Sequence, residues 1–148
     1  MKIYFDNCCY NRPFDDLTKG NNDIEAKAIE NIIIKAIKGE TEIYNSSAIE
    51  YEVHRISDGN KKRQVEDLYD SLKLEYVEYT PDVKSRADEL QNQNVHKMDA
   101  YHIAYAEKAD VDYLITTDKQ MLSSGKSSDA KIKIINPLEL IIGGAINE

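Results

Sequence analysis

Cysteine, proline and tryptophan are scarce in this chain of 148 residues, which has two cysteines, three prolines and no tryptophan. Cys8 and Cys9 are adjacent and too few for a disulfide framework, so we expect a reducing, cytoplasmic environment. No apolar run approaches the roughly 20 residues of a membrane span. Because an acid stands already at Asp6, we do not expect a signal peptide.

Positive charge is also in short supply. The 27 acids outnumber the 19 lysines and arginines, which gives a formal net charge of −8 and a pI of about 4.9. This balance argues against a nonspecific nucleic-acid binder, since such proteins are usually basic. It does not argue against an enzyme that concentrates carboxylates around a metal ion. The length predicts one domain, with an apolar fraction typical of globular proteins.

Short apolar segments alternate with amphipathic segments along the chain. Strands are predicted at residues 2–6, 42–45, 74–79, 113–116 and 132–135. Helices are predicted between them, with a loop or irregular helix at residues 7–22 and a loop at residues 123–129. This alternation predicts an α/β fold with a central, mostly parallel five-stranded sheet, right-handed crossovers and helices on both faces, which makes three α/β/α layers.

Four acids are predicted to meet at one edge of this sheet. Asp6 and Asp118 follow strands, and ligands of open α/β sheets bind beyond the carboxyl ends of the strands. Glu52 and Asp99 lie in early turns of helices, and those turns face the same edge. Each acid alone has an ordinary explanation as a solvated loop residue or a helix cap. Their joint placement favours a site.

Two of these acids border apolar helix faces. Glu52 lies between Ile49 and Ile56 in the helical register, and Asp99 shares a face with Ile103. A carboxylate beside a core stripe is costly unless it is paired or binds a metal, and clustered carboxylates raise each other's pKa. A divalent cation removes both costs, and hard oxygen ligands suit Mg²⁺ or Mn²⁺.

The sequence resembles the PIN-domain family, which includes the VapC-like toxin ribonucleases of toxin–antitoxin systems. The resemblance covers nearly the whole chain and implies one PIN-like domain over residues 1–148. Four segments carry it in order: IYFD at 3–6, SSAIEYEV at 46–53, DAYHIAYA at 99–106 and LITTD at 114–118. The second segment matches a pattern of Ser, five residues, Glu and an apolar residue, which selects Glu52 over Glu50.

The resemblance implies a metal-dependent endoribonuclease that hydrolyses RNA phosphodiesters with Mg²⁺ or Mn²⁺. The implied catalytic and metal-binding acids are Asp6, Glu52, Asp99 and Asp118. Thr116 belongs to the Thr-x-Asp end of the fourth segment. The chain departs from the family in two places. Asn7 and Cys8 stand where Thr and then Asn or Ser are usual, although Asn7 can hydrogen-bond in place of the Thr. Lys119, Gln120 and Met121 stand where many members carry another acid.

Backbone contacts to RNA need cations near this edge. Arg12 and Lys119 come soon after strand-end acids and are the expected contacts, whereas the basic residues 61–63 are interpreted as a solvated helix start. The three histidines lack metal-type spacing, so we expect them at the surface or in a supporting role. His102, three residues after Asp99, deserves the closest inspection.

Two alternatives stay open on the sequence. Tyr101 or Tyr105 can stack an RNA base, but packing is the interpretation we favour. A catalytically silent PIN scaffold that binds a partner protein is the main rival to the enzyme. As a toxin the chain is expected to pair with a small antitoxin and to form homodimers. The isoleucine-rich stripe that follows Asp23 can serve a core or an interface, and we favour the core.

Overall fold

Five strands form one parallel sheet in the order β3-β2-β1-β4-β5 in a computed structural model, which describes residues 1–142. The strands are β1 (Lys2–Phe5), β2 (Glu42–Asn45), β3 (Leu74–Tyr76), β4 (Tyr113–Ile115) and β5 (Lys133–Ile135). At the centre, Tyr4 of β1 is in register with Tyr44 of β2 and Leu114 of β4. All four strand pairings are parallel.

Helices flank the sheet. They are α1 (Asn7–Asn11), α2 (Asn22–Ile37), α3 (Ser47–His54), α4 (Gly59–Ser71), α5 (Pro81–Gln91), α6 (Lys97–Ala109), α7 (Lys119–Ser127) and α8 (Pro137–Ile142), with a 3-10 turn at Arg12–Phe14. The α/β/α fold predicted from the alternation of segments is confirmed. Within residues 1–142, no helix has both the length and the apolar character needed to cross a membrane.

The central strand is buried on both faces, which explains its continuous apolar sequence. Ile3, Tyr4 and Phe5 are fully buried, as expected for a parallel sheet covered by helices on both sides. The isoleucines of α2 divide between two environments. Ile29 and Ile32 are fully buried, whereas Ile37 is 72% exposed. The predicted core stripe of this helix therefore leaves apolar surface at its C-terminal end.

The loop predicted at residues 123–129 is wrong over most of its length, because α7 continues to Ser127. Serine and glycine have low helix propensity and suggested a loop. Two features outweigh that propensity. The Asp118 carboxylate caps the helix by accepting from the Gln120 N–H at 2.8 Å, and Met121 is fully buried. Residues 7–22, predicted as loop or irregular helix, contain α1 and the 3-10 turn.

Gly125 allows α7 to approach β5 closely. A Cβ at Gly125 would lie 2.7 Å from Cδ1 and 3.0 Å from Cβ of Ile134. We expect Gly125→Ala to lower the free energy of unfolding by about 1 kcal/mol, because overpacking typically costs more than the gain in helix propensity. Urea denaturation measures this change.

Gly59→Ala is the matched control. Gly59 begins α4, and a Cβ there would have no heavy atom within 4 Å. The control should leave stability unchanged or slightly raised. Equal effects of the two substitutions would contradict the close approach of α7 to β5.

Candidate metal centre

Asp6 is a buried carboxylate at the carboxyl end of the central strand. The residue is 6% exposed, and its main-chain N–H donates to the Ile115 carbonyl at 3.0 Å. The Asn7 N–H donates to Oδ1 at 2.7 Å, and the Thr116 hydroxyl donates to Oδ2 at 2.8 Å. Within residues 1–142, no Lys or Arg pairs with this carboxylate. The Asn7 N–H and the Thr116 hydroxyl, which hold the carboxylate in place, are both neutral donors.

Thr116 connects the ends of β1 and β4. Its fully buried hydroxyl donates to Asp6 and accepts from the Asp118 N–H at 3.0 Å. Cys8 takes part in the same cluster, since its Sγ lies 3.3 Å from Thr116 Oγ1 and accepts from the Thr117 N–H at 3.3 Å. The unusual thiol after the first acid thus has a structural contact.

Three side chains lie within ligand distance of one another. These side chains belong to Asp6, Glu52 and His102. Each has one possible ligand atom, and these three atoms all lie within 4.8 Å of one another. His102 Nε2 hydrogen-bonds to the Glu52 carboxylate and lies 3.7 Å from Asp6 Oδ1. Glu52 is half-buried in the second turn of α3, whereas Glu50 is exposed. Helical geometry accounts for the difference, because residues two apart face opposite ways.

His102 is buried, not at the surface, and a hydrogen-bonded chain orients its ring. It is 1% exposed, and its Nδ1 lies 2.8 Å from the Tyr4 hydroxyl, which lies 2.6 Å from Ser46 Oγ. When neutral His102 donates from Nε2 to Glu52, Nδ1 accepts from Tyr4. Burial lowers the pKa of His102, but the hydrogen bond to Glu52 and the charge of Asp6 outweigh it and raise the pKa overall.

Asp99 and Asp118 add negative charge beside this group. Asp99 is half-buried in the first turn of α6, and its pKa is raised to about 6 by burial and by the charges of Asp6 and Asp118. Asp118 is exposed and caps α7. All four predicted acids therefore lie near one edge of the sheet, although only Asp6 and Glu52 belong to the closest group.

A cleft of about 560 Å³ adjoins Glu52. Asn7 and Asn11 line it, and the side-chain oxygen of each is buried without a hydrogen-bond partner among residues 1–142. Buried polar atoms without partners are uncommon in folded proteins. Carboxylate and amide oxygens are the donors that Mg²⁺ and Mn²⁺ prefer. The residues present therefore fit a hard divalent cation.

The basic residues near the cleft differ in how they are engaged. Arg12 is held by Asp15 at 2.8 Å and by Glu25 at 3.3 Å, and it donates to the Thr117 hydroxyl at 2.9 Å. Its guanidinium is thus part of an internal network.

Arg55 was not singled out from the sequence, but it lines the cleft and is exposed. It donates to the Tyr51 hydroxyl at 3.0 Å. Lys61 also lines the cleft and pairs with Asp15, and Lys119 is exposed at the start of α7.

Comparison with known families identifies the chain as a member of the PIN domain family. The family model matches residues 16–125, which include Glu52, Asp99 and Asp118. Asp6 precedes the matched range, and its closeness to the other acids is seen in the structure, where β1 pairs with β4. No curated protein matches the chain.

Two solved structures share the fold. The first is VapBC2 from Rickettsia felis bound to a DNA fragment from their promoter. It is 14% identical, covers 92% of this chain and 98% of its own, and has a TM-score of 0.58. The second is PAE2754 from Pyrobaculum aerophilum, which is 16% identical, covers 98% of this chain and 90% of its own, and has a TM-score of 0.58.

The raised pKa of Asp99 predicts that this acid destabilises the metal-free fold. Above pH 6 the folded state must keep Asp99 charged although it is half-buried and lies beside Asp6 and Asp118, whereas the unfolded chain carries no such cost. We expect Asp99→Asn to raise the free energy of unfolding by about 1 kcal/mol at pH 7.5, a value that allows for solvent screening.

Denaturation in a chelator measures this gain, which should disappear as the pH falls from 6 towards 4 because wild-type Asp99 is then protonated when folded. Asp82→Asn is the matched control, since Asp82 lies in the first turn of α5 and is exposed. If Asp82→Asn stabilises the fold as much as Asp99→Asn does, the proposed destabilisation by the charge of Asp99 at this site is wrong.

Proposed function

We propose that the chain is a metal-dependent endoribonuclease that hydrolyses RNA phosphodiesters with Mg²⁺ or Mn²⁺. One observation carries the proposal: the buried Asp6 carboxylate lies within ligand distance of Glu52 and His102, and no Lys or Arg of the described residues neutralises it. Membership of the PIN domain family supports a nuclease. The pKa of Asp99, raised first by burial and then by the charges of Asp6 and Asp118, is consistent with a carboxylate cluster that binds a cation.

Asp6, Asp99 and Asp118 are the acids that would hold the cation, with Glu52 as a further ligand or as the group that orients water. When bound, a divalent cation supplies Lewis acidity to the phosphate group and neutralises its charge. Thr116 and the Asn7 N–H keep the Asp6 carboxylate in one orientation, since each donates to a different oxygen.

Glu52 is the residue best situated to accept a proton from the attacking water. His102 orients Glu52, and Tyr4 in turn orients His102. The water oxygen bonds to phosphorus, the bond between phosphorus and the leaving sugar oxygen breaks, and that oxygen takes a proton from solvent. No Ser, Cys or His nucleophile is required.

RNA must approach a chain with a net charge of −8. Basic side chains along the cleft reduce this repulsion locally. We propose Lys119 and Arg55 as contacts to the RNA backbone. Arg12 is committed to Asp15 and Glu25, so its contribution is to position α1 and α2 beside the site.

The biological setting we propose is a type II toxin–antitoxin pair in the cytoplasm. VapBC2 from Rickettsia felis shares the fold, and both cysteines of this chain are free thiols. A small antitoxin and a second copy of the chain are the expected protein partners. The exposed Ile34 and Ile37 of α2 offer apolar surface for such contacts.

The alternative is a catalytically silent PIN scaffold that binds a partner protein. The absence of an acid at Lys119, Gln120 and Met121 favours it, since many family members carry a further acid there. The two functions differ in whether the pure protein cleaves RNA.

The purified protein should cleave labelled single-stranded RNA in Mg²⁺ or Mn²⁺ and stop when the metal is chelated. Asp6→Asn and Asp99→Asn should each lower the rate by at least about a hundredfold, because removing one charge-stabilising group typically costs that much. Denaturing gels measure the cleavage.

Glu52→Gln and Glu50→Gln form a matched pair on α3. Glu52→Gln should abolish most of the activity and Glu50→Gln should keep it, since only Glu52 contacts His102. Ribonuclease activity that survives both Asp6→Asn and Asp99→Asn would contradict the proposal that this chain is a metal-dependent ribonuclease. An inactive wild type that is pure and free of bound antitoxin would favour the scaffold.

A further inference from the structure

A second groove, of about 680 Å³, adjoins the metal cleft. Its lining includes four tyrosines, one lysine and one methionine, which are Tyr51, Tyr79, Tyr101, Tyr105, Lys97 and Met98. Tyr51 and Met98 also line the cleft beside Glu52. The groove is therefore continuous with the place where the proposed function positions the scissile phosphate, and the inference below rests on that function.

The four tyrosines of this groove differ in exposure. Tyr105 is 1% exposed, and its hydroxyl lies 2.7 Å from Ser47 Oγ, so it forms a fixed floor. Tyr101 is half-buried. Tyr51 and Tyr79 are 53% and 52% exposed. Core packing thus explains Tyr105, as the sequence favoured, but it does not explain why two large rings remain in water.

Cations lie at the same groove. The Arg55 guanidinium lies 5.2 Å from the centroid of the Tyr51 ring and donates to its hydroxyl. Lys97 is exposed at the start of α6. Within residues 1–142, neither Arg55 nor Lys97 forms an ion pair with a carboxylate. Aromatic rings beside unpaired cations match a ligand that has both flat bases and phosphates.

We propose that the groove is a stacking subsite for an unpaired RNA base next to the scissile phosphate. Tyr51 and Tyr79 supply the stacking rings, and Arg55 binds the adjoining phosphate. Continuity with the cleft favours a base over an apolar protein segment. When the phosphate of a nucleotide lies at Glu52, the base of the same nucleotide can reach Tyr51. Only an unpaired base has a face free for stacking on a tyrosine, so the subsite favours single strands over duplexes. Stacking tolerates any base, so no sequence preference is expected.

Binding of a non-cleavable oligonucleotide tests the subsite without any need for catalysis. The probe is a 2′-O-methyl RNA of about ten nucleotides, within the range that such grooves bind, and an abasic strand of equal length and charge is its partner. Tyr79→Leu should weaken binding of the base-containing strand at least about fivefold, because it removes a stacking ring. Tyr79→Phe keeps the ring and should bind like the wild type.

Tyr76→Leu is the matched control, because Tyr76 is 46% exposed on β3 and does not line the groove. It should bind both strands like the wild type, and Tyr79→Leu should leave binding of the abasic strand unchanged. Since the chain lacks tryptophan, Tyr79→Trp adds a single reporter. Its fluorescence should be quenched by the base-containing strand and not by the abasic one.

Equal binding of the base-containing strand by the wild type and Tyr79→Leu would overturn the subsite, and so would a wild type that binds neither strand. Either result would leave an apolar protein segment as the better occupant of the groove. Ring-dependent binding by a protein that cleaves no RNA would keep the subsite and defeat the proposed hydrolysis, so the two failures are distinguishable.

Discussion

Burial of the Asp6 carboxylate at the end of the central strand is the constraint on which the surrounding arrangement depends. A charged group so little exposed is costly unless donors or a cation compensate it. Thr116 and the Asn7 N–H supply donors, but neither carries charge. The nearby Glu52 and Asp99 increase the negative charge. A divalent cation is the partner that relieves burial and repulsion together.

Topology explains why the sequence predicted that these acids lie at one edge of the sheet. Asp6 and Asp118 follow neighbouring parallel strands, so their positions at one edge follow from strand order and direction alone. Helical periodicity placed Glu52 and Glu50 on different faces of the helix, and the resemblance to the family selected Glu52. The predicted positions at the edge and on the helix needed only the chain direction and a repeat of 3.6 residues, both of which are local properties.

The features that the sequence did not reveal depend on contacts between distant segments. His102 is buried, and its ring hydrogen-bonds to Tyr4, 98 residues earlier; only its spacing from Asp99 gave a hint. Arg12 was expected at the RNA, yet Glu25 and Asp15 hold it. Propensity suggested a loop where the burial of Met121 and the Asp118 cap stabilise α7. Side-chain pairing of this kind is specified by the assembled fold.

Crystals soaked in Mn²⁺, with the ion located by anomalous scattering, test the central claim most directly. We expect a strong peak at the carboxyl ends of β1 and β4, with Asp6 among the ligands and metal–oxygen distances of about 2.1 Å. A well-ordered crystal in which the peak lies away from Asp6, or in which saturating Mn²⁺ gives none there, would contradict that claim.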